Sequence, residues 1–179
     1  AISTAKGFNG ADLGIRQEWL PLFDKYGVDL VVCGHEHHYE RSLPIRGAQQ
    51  NQTLTPIPAG TATDVIDTSK GTVHMVIGGG GTSSPSNQLL YNPPQCDVIV
   101  AQAPRSSTGA KGAVTKVTEA APWAGVGDPA HSYGFASFDV DPGHRGGNTK
   151  ITVTYYEVSG PYGTLSPFET FTLQRPRRD

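Results

Sequence analysis

The chain has 179 residues, a net charge of −2 and only 17% charged residues, so it carries no basic field that would hold nucleic acid or an anionic membrane. Its 22 glycines and 14 prolines predict many turns and long loops rather than helices, although this content is below the level that marks disorder. No apolar run approaches the length that spans a membrane, and no signal peptide is visible. We predict a single domain over residues 1–179, without internal repeats.

The first predicted element is a helical region near the start of the chain. Asp12 fits the N-cap position and is followed by apolar residues at helical spacing. Pro21 interrupts this pattern and predicts a kink or a division into two short helices. Gly27 fits the left-handed position that follows a helix.

A short apolar run over residues 28–33 predicts a strand that is buried on both faces and ends at Gly34. Ligands of open α/β sheets bind beyond the carboxyl ends of strands, which is where His35 and His37 fall. Residues two apart on an extended segment point the same way, so the two imidazoles are expected to converge. Imidazole is a common ligand of zinc and iron, although a histidine near a strand end is also an ordinary polar surface residue. The zinc-protease pattern His-Glu-x-x-His is excluded because residue 39 is Tyr.

The remaining elements are predicted from composition and alternation. In chain order they are a polar connection over 43–70, a strand over 72–77, a glycine run over 78–81, a long loop over 82–131, strands over 133–140, 150–158 and 169–173, a turn at 141–143, and a frayed tail over 175–179. The glycine run lacks the Gly-Lys-Ser/Thr of a phosphate-binding loop, so it is interpreted as a flexible turn close to the histidines.

The other histidines receive structural interpretations. His38 is expected at the surface, because it points away from the pair, and His74 is expected to be a hydrogen-bonded histidine within a strand. His131 and His144 are expected in loops, with a substrate-facing role as the alternative for His131.

Two cysteines, Cys33 and Cys96, bear on the compartment. Cys33 lies in an apolar run, which favours a buried thiol, and a Cys33–Cys96 disulfide is the alternative if the protein is secreted. Because the chain begins at Ala1 rather than Met, we expect either that a segment was removed or that the chain is a fragment.

The segment Asp29–Ser42, DLVVCGHEHHYERS, resembles the last metal motif of the metallophosphoesterase superfamily, and most closely that of the purple acid phosphatases. Residues 71–82 resemble the next strand of that family with its glycine-rich end, and residues 131–140 resemble its final strand. The resemblance spans most of the chain. It implies an α/β fold in which this chain is the C-terminal half of a β-sandwich flanked by helices, strand-rich with one N-terminal helical region.

The same resemblance implies a site with two metal ions, iron paired with zinc, manganese or iron, that hydrolyses phosphate monoesters. His35 and His37 would each donate a nitrogen to one ion. Tyr39, Glu40 and Arg41 would pack behind the histidines and orient the loop that carries them. Secretion is common in the family and is expected here, with no nucleic-acid or membrane partner.

The sequence also departs from the family pattern. Four earlier metal motifs are missing, so the other ligands are expected upstream, in lost sequence or in a separate chain, and the isolated chain is expected to be inactive. Where the family often has substrate-facing histidines, this chain has Asn9 and Asp12, which could face the phosphate or serve as a loop residue and a helix cap. The alternatives are a phosphodiesterase or nucleotidase on the same site, and a non-catalytic metal-binding or scaffold module.

Overall fold

The computed structural model describes residues 2–5, 10–49, 55–81, 91–92, 95–104, 114–128, 130, 133–160 and 162–177. The side chains of residues 10–15, 91–92, 95–96, 102–104 and 114–115 lie outside that description. The expectations for Asn9 and His131, and those for the side chains of Asp12 and Cys96, therefore fall outside the described residues.

Within this part of the chain the fold is mostly β, with one helix near the N-terminus, as the sequence predicts. The elements are α1 Gly10–Tyr26, β1 Leu30–Cys33, β2 Tyr39–Ser42, β3 Ile45–Ala48, β4 Pro56–Pro58, β5 Val65–Asp67, β6 Val73–Ile77, β7 Tyr91–Asn92, β8 Gln95–Pro104, β9 Val114–Ala120, β10 Ala124–Gly127, β11 Gly134–Asp141, β12 Asn148–Ser159 and β13 Thr164–Pro176.

Two four-stranded sheets face each other. The first has the order β1-β6-β2-β10, with β1 parallel to β6, and the second has the order β11-β12-β13-β5, in which β5 is parallel to β13. The other neighbours in these sheets are antiparallel. Strands β3 and β4 form a separate pair, and β7, β8 and β9 form a third sheet.

A hydrophobic core joins the two larger sheets. Its fully buried members come from both of them: Tyr39, Ile66, Val73, Met75, Val153, Tyr155, Phe171 and Leu173. Burying one such side chain stabilises a fold by about 1.5–3 kcal/mol, so these residues account for the sandwich arrangement. A second cluster lies where α1 and β3 meet the hairpin β8–β9, with Leu20, Ile45, Val98, Val100 and Trp123 among its members.

Helix α1 begins at Gly10, so Asp12 lies in the first turn rather than at the predicted N-cap. It continues through Pro21 as one helix, so of the two outcomes predicted there, a kink or a division into two helices, the division does not occur. Leu20 and Phe23, on either side of the proline, pack into the second cluster, and this packing outweighs the hydrogen bond that Pro21 cannot donate. Among the described residues, no helix is both long and apolar enough to cross a membrane.

Strand β1 is not buried on both faces as predicted, since Val32 is 43% exposed. The reason is its place in the sheet, where β6 is its one neighbour among the described strands. The Cys33 side chain is half-buried and its thiol donates a hydrogen bond to the carbonyl oxygen of Met75 at 3.4 Å.

The two long connections contain more structure than predicted. Strands β3, β4 and β5 lie within residues 43–70, and the long hairpin β8–β9 lies within residues 82–131. The alternation of β8 is hidden because its pairing with β9 is irregular between Ile99 and Ala101 and because Val98, Ile99 and Val100 are all buried.

The C-terminal strands agree better with the sequence. Strands β11 and β12 lie where they were predicted, and the turn between them has Gly143 at φ +66°, its N–H donating to Asp141 Oδ1 at 2.8 Å. Gly27 has the predicted left-handed conformation, with φ +59°. The tail is not frayed at Arg175, because β13 extends to Pro176 and Arg175 forms an ion pair with Asp29 at 2.9 Å.

Candidate metal centre

The histidine loop, residues 34–38, lies where two parallel strands end. The pairing of β1 with β6 runs from Leu30 beside Val73 to Cys33 beside Val76, so both carboxyl ends reach the same edge of the sheet. Gly34 continues from β1 and Gly78 continues from β6. The sequence-based expectation that the histidines follow a strand end is therefore met.

The conformation of this loop differs from the extended segment that was expected. His35 has φ +76°, the one positive φ of a non-glycine residue in the described chain, and the N–H of His38 donates to the carbonyl oxygen of Glu36 at 3.0 Å. The loop is a tight turn, so alternation along an extended backbone does not describe how the side chains of His35 and His37 are presented. Left-handed backbone at a non-glycine residue costs about 1–3 kcal/mol and is concentrated at functional sites.

Gly78 makes this tight turn possible. A Cβ atom at residue 78 would overlap the carbonyl group of Glu36, with its carbon at 2.9 Å, and would approach the backbone nitrogen of His35 to 3.2 Å. The glycine run was interpreted as a flexible turn, but the structure gives Gly78 a more specific role. It lets the backbone of the histidine loop lie directly on the end of β6.

The loop offers two imidazoles that solvent can reach. His35 is exposed and His37 is half-buried. Their chemistry suits zinc or iron, but a catalytic zinc usually has three protein ligands. No group of three metal-binding side chains occurs among the residues that the structure describes. The loop therefore offers two candidate metal ligands, fewer than a catalytic zinc site has.

Tyr39, directly after the loop, is fully buried between the sheets. Its ring stacks on that of Tyr155, with centroids 3.8 Å apart and an interplanar angle of 12°, and its hydroxyl donates to Glu169. Burial, together with the negative charge of Glu169, raises the pKa of Tyr39 far above its ordinary value, so the hydroxyl remains a donor.

Arg41 is also buried and binds the same carboxylate. Its Nε donates to Glu169 Oε1 and its Nη2 to Glu169 Oε2, both at 2.9 Å, and Nη2 also reaches the carbonyl oxygen of Thr63 at 3.3 Å. The guanidinium lies 4.2 Å from the ring centroid of Phe171. Burial acts to lower the pKa of Arg41, but the hydrogen bonds and charge of Glu169 act more strongly and raise it.

Glu40 points away from Glu169 and ties β2 to the start of the chain. Its carboxylate accepts hydrogen bonds from the backbone N–H of Thr4 and the hydroxyl of Ser3, both at 2.8 Å, and lies 3.2 Å from His38 Nε2. The prediction that His38 is a surface residue is wrong, because this contact holds it fully buried. That Tyr39, Glu40 and Arg41 orient the histidine loop stays a prediction.

Glu169 was not identified from the sequence as part of this region. The alternating pattern predicts it only as the first residue of a strand. Because Phe171 and Leu173 point into the core, the same alternation places Glu169 inside as well. A carboxylate at an inward-facing position of a strand is the signal that could have found it, since such a group requires a buried partner.

The other histidines lie apart from the loop. His74 is 2% exposed, packs against Phe23 with ring centroids 5.7 Å apart, and has no hydrogen-bond partner for either ring nitrogen in the described structure. The expectation of a hydrogen-bonded strand histidine is therefore wrong. Desolvation lowers the pKa of His74 to about 3. His144 is exposed in the turn after β11, as expected.

Comparison with known proteins gives strong similarity to longer proteins and weaker similarity to phosphatases. The chain is 58% identical over 177 residues to an uncharacterised protein found in two strains of Mycobacterium tuberculosis, covering 99% of this chain and 34% of that protein. It thus spans about a third of the length of these relatives. No family model matches the chain.

Shorter matches connect the chain to acid phosphatases. It is 38% identical over 76 residues to "Probable inactive purple acid phosphatase 24" of Arabidopsis thaliana, covering 42% of this chain and 11% of that protein. It is 36% identical over 88 residues to "Acid phosphatase type 7" of Mus musculus, covering 49% of this chain and 18% of that protein. These partial matches support a distant relation of the chain to the purple acid phosphatases.

Proposed function

We propose that this chain contributes one corner of a metal-dependent phosphatase that hydrolyses phosphate monoesters. The carrying observation is the histidine loop: His35 is held in a left-handed conformation beside His37, at the joint end of two parallel strands. The similarity to acid phosphatases supports the reaction class. In this proposal the remaining metal ligands and the activity are those of a longer protein that includes this chain, since the chain matches only 34% of the Mycobacterium tuberculosis relatives.

In this proposal His35 and His37 hold one or both metal ions, expected to be iron with zinc, manganese or iron. The metal would lower the pKa of bound water and neutralise charge on the phosphate. The chain's own contribution is to bind and orient. Gly78 leaves room for the loop backbone against the end of β6. The buried side chains of Tyr39, Glu40 and Arg41 fix β2, the strand that follows the loop. Secretion, expected from the resemblance, is part of the same proposal.

A non-catalytic role is the second candidate. Two imidazoles alone bind metal weakly, and no third candidate ligand accompanies them in the described part of the chain. Two of the Arabidopsis thaliana relatives are themselves described as probable inactive purple acid phosphatases. In that role the chain would be a scaffold module with weak metal affinity.

The test measures hydrolysis of p-nitrophenyl phosphate and bis(p-nitrophenyl) phosphate by the longer protein and by its His35→Ala and His37→Ala variants. We expect each variant to lose about 100-fold or more in kcat/KM, since a metal ligand is lost, with the monoester preferred over the diester. His144→Ala is the matched control and should keep full activity, because His144 lies in an exposed turn. Wild-type rates in both loop variants would exclude the proposal, and preference for the diester would favour a phosphodiesterase.

A further inference from the structure

Both ends of the histidine loop are paired with β6, and the downstream end has a second attachment. The upstream end leaves β1, which is paired with β6 within the first sheet. The downstream end enters β2, where Tyr39 and Arg41 both reach across the sandwich to Glu169 on β13. Glu169 is thus a direct connection between the second sheet and the strand that begins two residues after His37.

An irregularity in β13 brings Glu169 into this position. Tyr155 pairs with Glu169, but the next residue, Tyr156, pairs with Pro167, so Phe168 is an extra residue in β13. The ring of Phe168 lies 5.9 Å from that of Tyr39 and 6.3 Å from that of Tyr155, in edge-to-face contact with each. Bulges of this kind re-aim side chains and are frequent beside active sites.

The carboxylate leaves Tyr39 and Arg41 little freedom. Its Oε1 accepts from both the Tyr39 hydroxyl and Arg41 Nε, and its Oε2 accepts from Arg41 Nη2. A two-bond fork between a guanidinium and a carboxylate fixes the direction as well as the distance of the contact. With the Tyr155 ring stacked on Tyr39, the second sheet constrains the start of β2 in addition to the pairing of β2 with β6.

We propose that Glu169 is a positioning residue for the histidine corner and acts through Tyr39 and Arg41. It holds the downstream end of the loop so that the strained turn at His35 persists and His37 keeps one orientation. The metal-binding consequence rests on the proposed function, whereas the effect on the order of the loop does not.

The rival explanation is that Glu169 only contributes stability. Variants of the 179-residue chain separate the two. Glu169→Gln keeps the shape of the side chain and removes its charge. The triple variant Tyr39→Phe/Arg41→Met/Glu169→Leu replaces the whole network with apolar side chains of similar size, which preserves the stability of such sites but removes their directional bonds. Asp29→Asn is the matched control, because it removes the charge from another ion pair to β13, at the start of β1.

Two measurements follow the loop itself. Hydrogen exchange at the backbone amide of His38, which donates to Glu36, reports local opening of the turn. Zn²⁺ titration followed by imidazole ¹⁵N shifts of His35 and His37 reports whether the two rings bind one ion together. Both are normalised to the unfolding free energy of each variant.

In Glu169→Gln and in the triple variant, we expect exchange at His38 to be about tenfold faster and Zn²⁺ binding to be about tenfold weaker, as for other residues that orient metal ligands. Asp29→Asn should match the wild type in both. If the triple variant has wild-type exchange, Glu169 is merely structural and the inference is overturned. If exchange is faster but neither the wild type nor any variant binds Zn²⁺ through these rings, the positioning role stands, and the non-catalytic role becomes the favoured function for this chain.

Discussion

Two ion pairs connect β13 to residues in or next to the first sheet, and they differ in burial and in the number of hydrogen bonds. Arg41 and Glu169 are 1% and 13% exposed, while Arg175 and Asp29 are 17% and 35% exposed, although both pairs have a nitrogen–oxygen distance of 2.9 Å. In the buried pair water cannot replace a lost partner, whereas in the outer pair it can. An equal nitrogen–oxygen distance therefore does not mean an equal contribution to stability, and the buried pair is the one that adjoins the histidine loop.

The largest expected effect comes from breaking the buried pair on one side. Glu169→Leu leaves the Arg41 guanidinium buried without a counter-charge and Tyr39 without an acceptor. The free energy of unfolding should fall by about 3–5 kcal/mol. Urea denaturation of the chain measures it, and the triple apolar variant should lie much closer to the wild type. A loss below about 1 kcal/mol would show that the pair behaves like a surface contact.

The effect of burial can also be tested at His74, a buried polar side chain without a hydrogen-bond partner in the described structure. Desolvation lowers its folded-state pKa to about 3, whereas the unfolded chain has the ordinary value of 6.5. The unfolded state therefore binds the proton first, so the stability from the neutral residue is complete above pH 6.5 and is lost as pH falls toward 3.

Substituting His74→Leu should remove this dependence. Between pH 7.5 and pH 4.5 the wild type should lose about 2.5 kcal/mol of unfolding free energy relative to the variant. Denaturation curves at several pH values measure the difference. His144→Leu, at an exposed position, is the control and should follow the wild type at every pH. Parallel curves for the wild type and His74→Leu would mean that His74 is solvated or paired.

Gly78 tests how far the histidine loop depends on its contact with the end of β6, within the first sheet. Gly78→Ala places a Cβ against the carbonyl group of Glu36, so the loop must move. The expected cost is about 1–2 kcal/mol of stability, as for other overpacked sites, together with weaker Zn²⁺ binding. Gly80→Ala is the matched control, because its Cβ would meet its nearest atom at 3.9 Å, an ordinary contact. Equal behaviour of the two variants would show that the loop does not rest on Gly78.

The sequence predicts those elements whose alternation of apolar and polar residues corresponds to which side chains are buried in the fold. Strand β12 alternates because one face, with Val153 and Tyr155, meets the core, and the position of the histidine loop follows from the glycine that ends β1. The hairpin β8–β9 was missed because a pairing irregularity near Ile99 hides its alternation. The left-handed turn at His35 depends on contact with Gly78, and local periodicity does not report such a contact.

Separation along the chain also limits what the sequence can predict about the partners of Tyr39 and Arg41. Tyr39 and Arg41 could be assigned a role from their neighbours, the two histidines. Their shared partner Glu169 lies 130 and 128 residues away, and it enters the sandwich beside a bulge at Phe168. Its partners can be named only when the facing sheet and its register are known, because an inward carboxylate shows merely that some partner exists.

The smallest expected effect on stability comes from the more exposed ion pair, between Asp29 and Arg175. Asp29→Asn removes the charge that faces Arg175 but retains an oxygen that can accept from Arg175 and from the hydroxyl of Thr68. Since both ionic side chains are partly exposed, water can solvate Arg175, and the unfolding free energy should fall by less than about 1 kcal/mol. The loss should shrink further in 1 M salt, which screens solvent-exposed charges. Urea denaturation at low and high salt measures both quantities. A salt-independent loss as large as that of Glu169→Leu would mean that position in the sandwich, rather than burial, decides the strength of the two pairs.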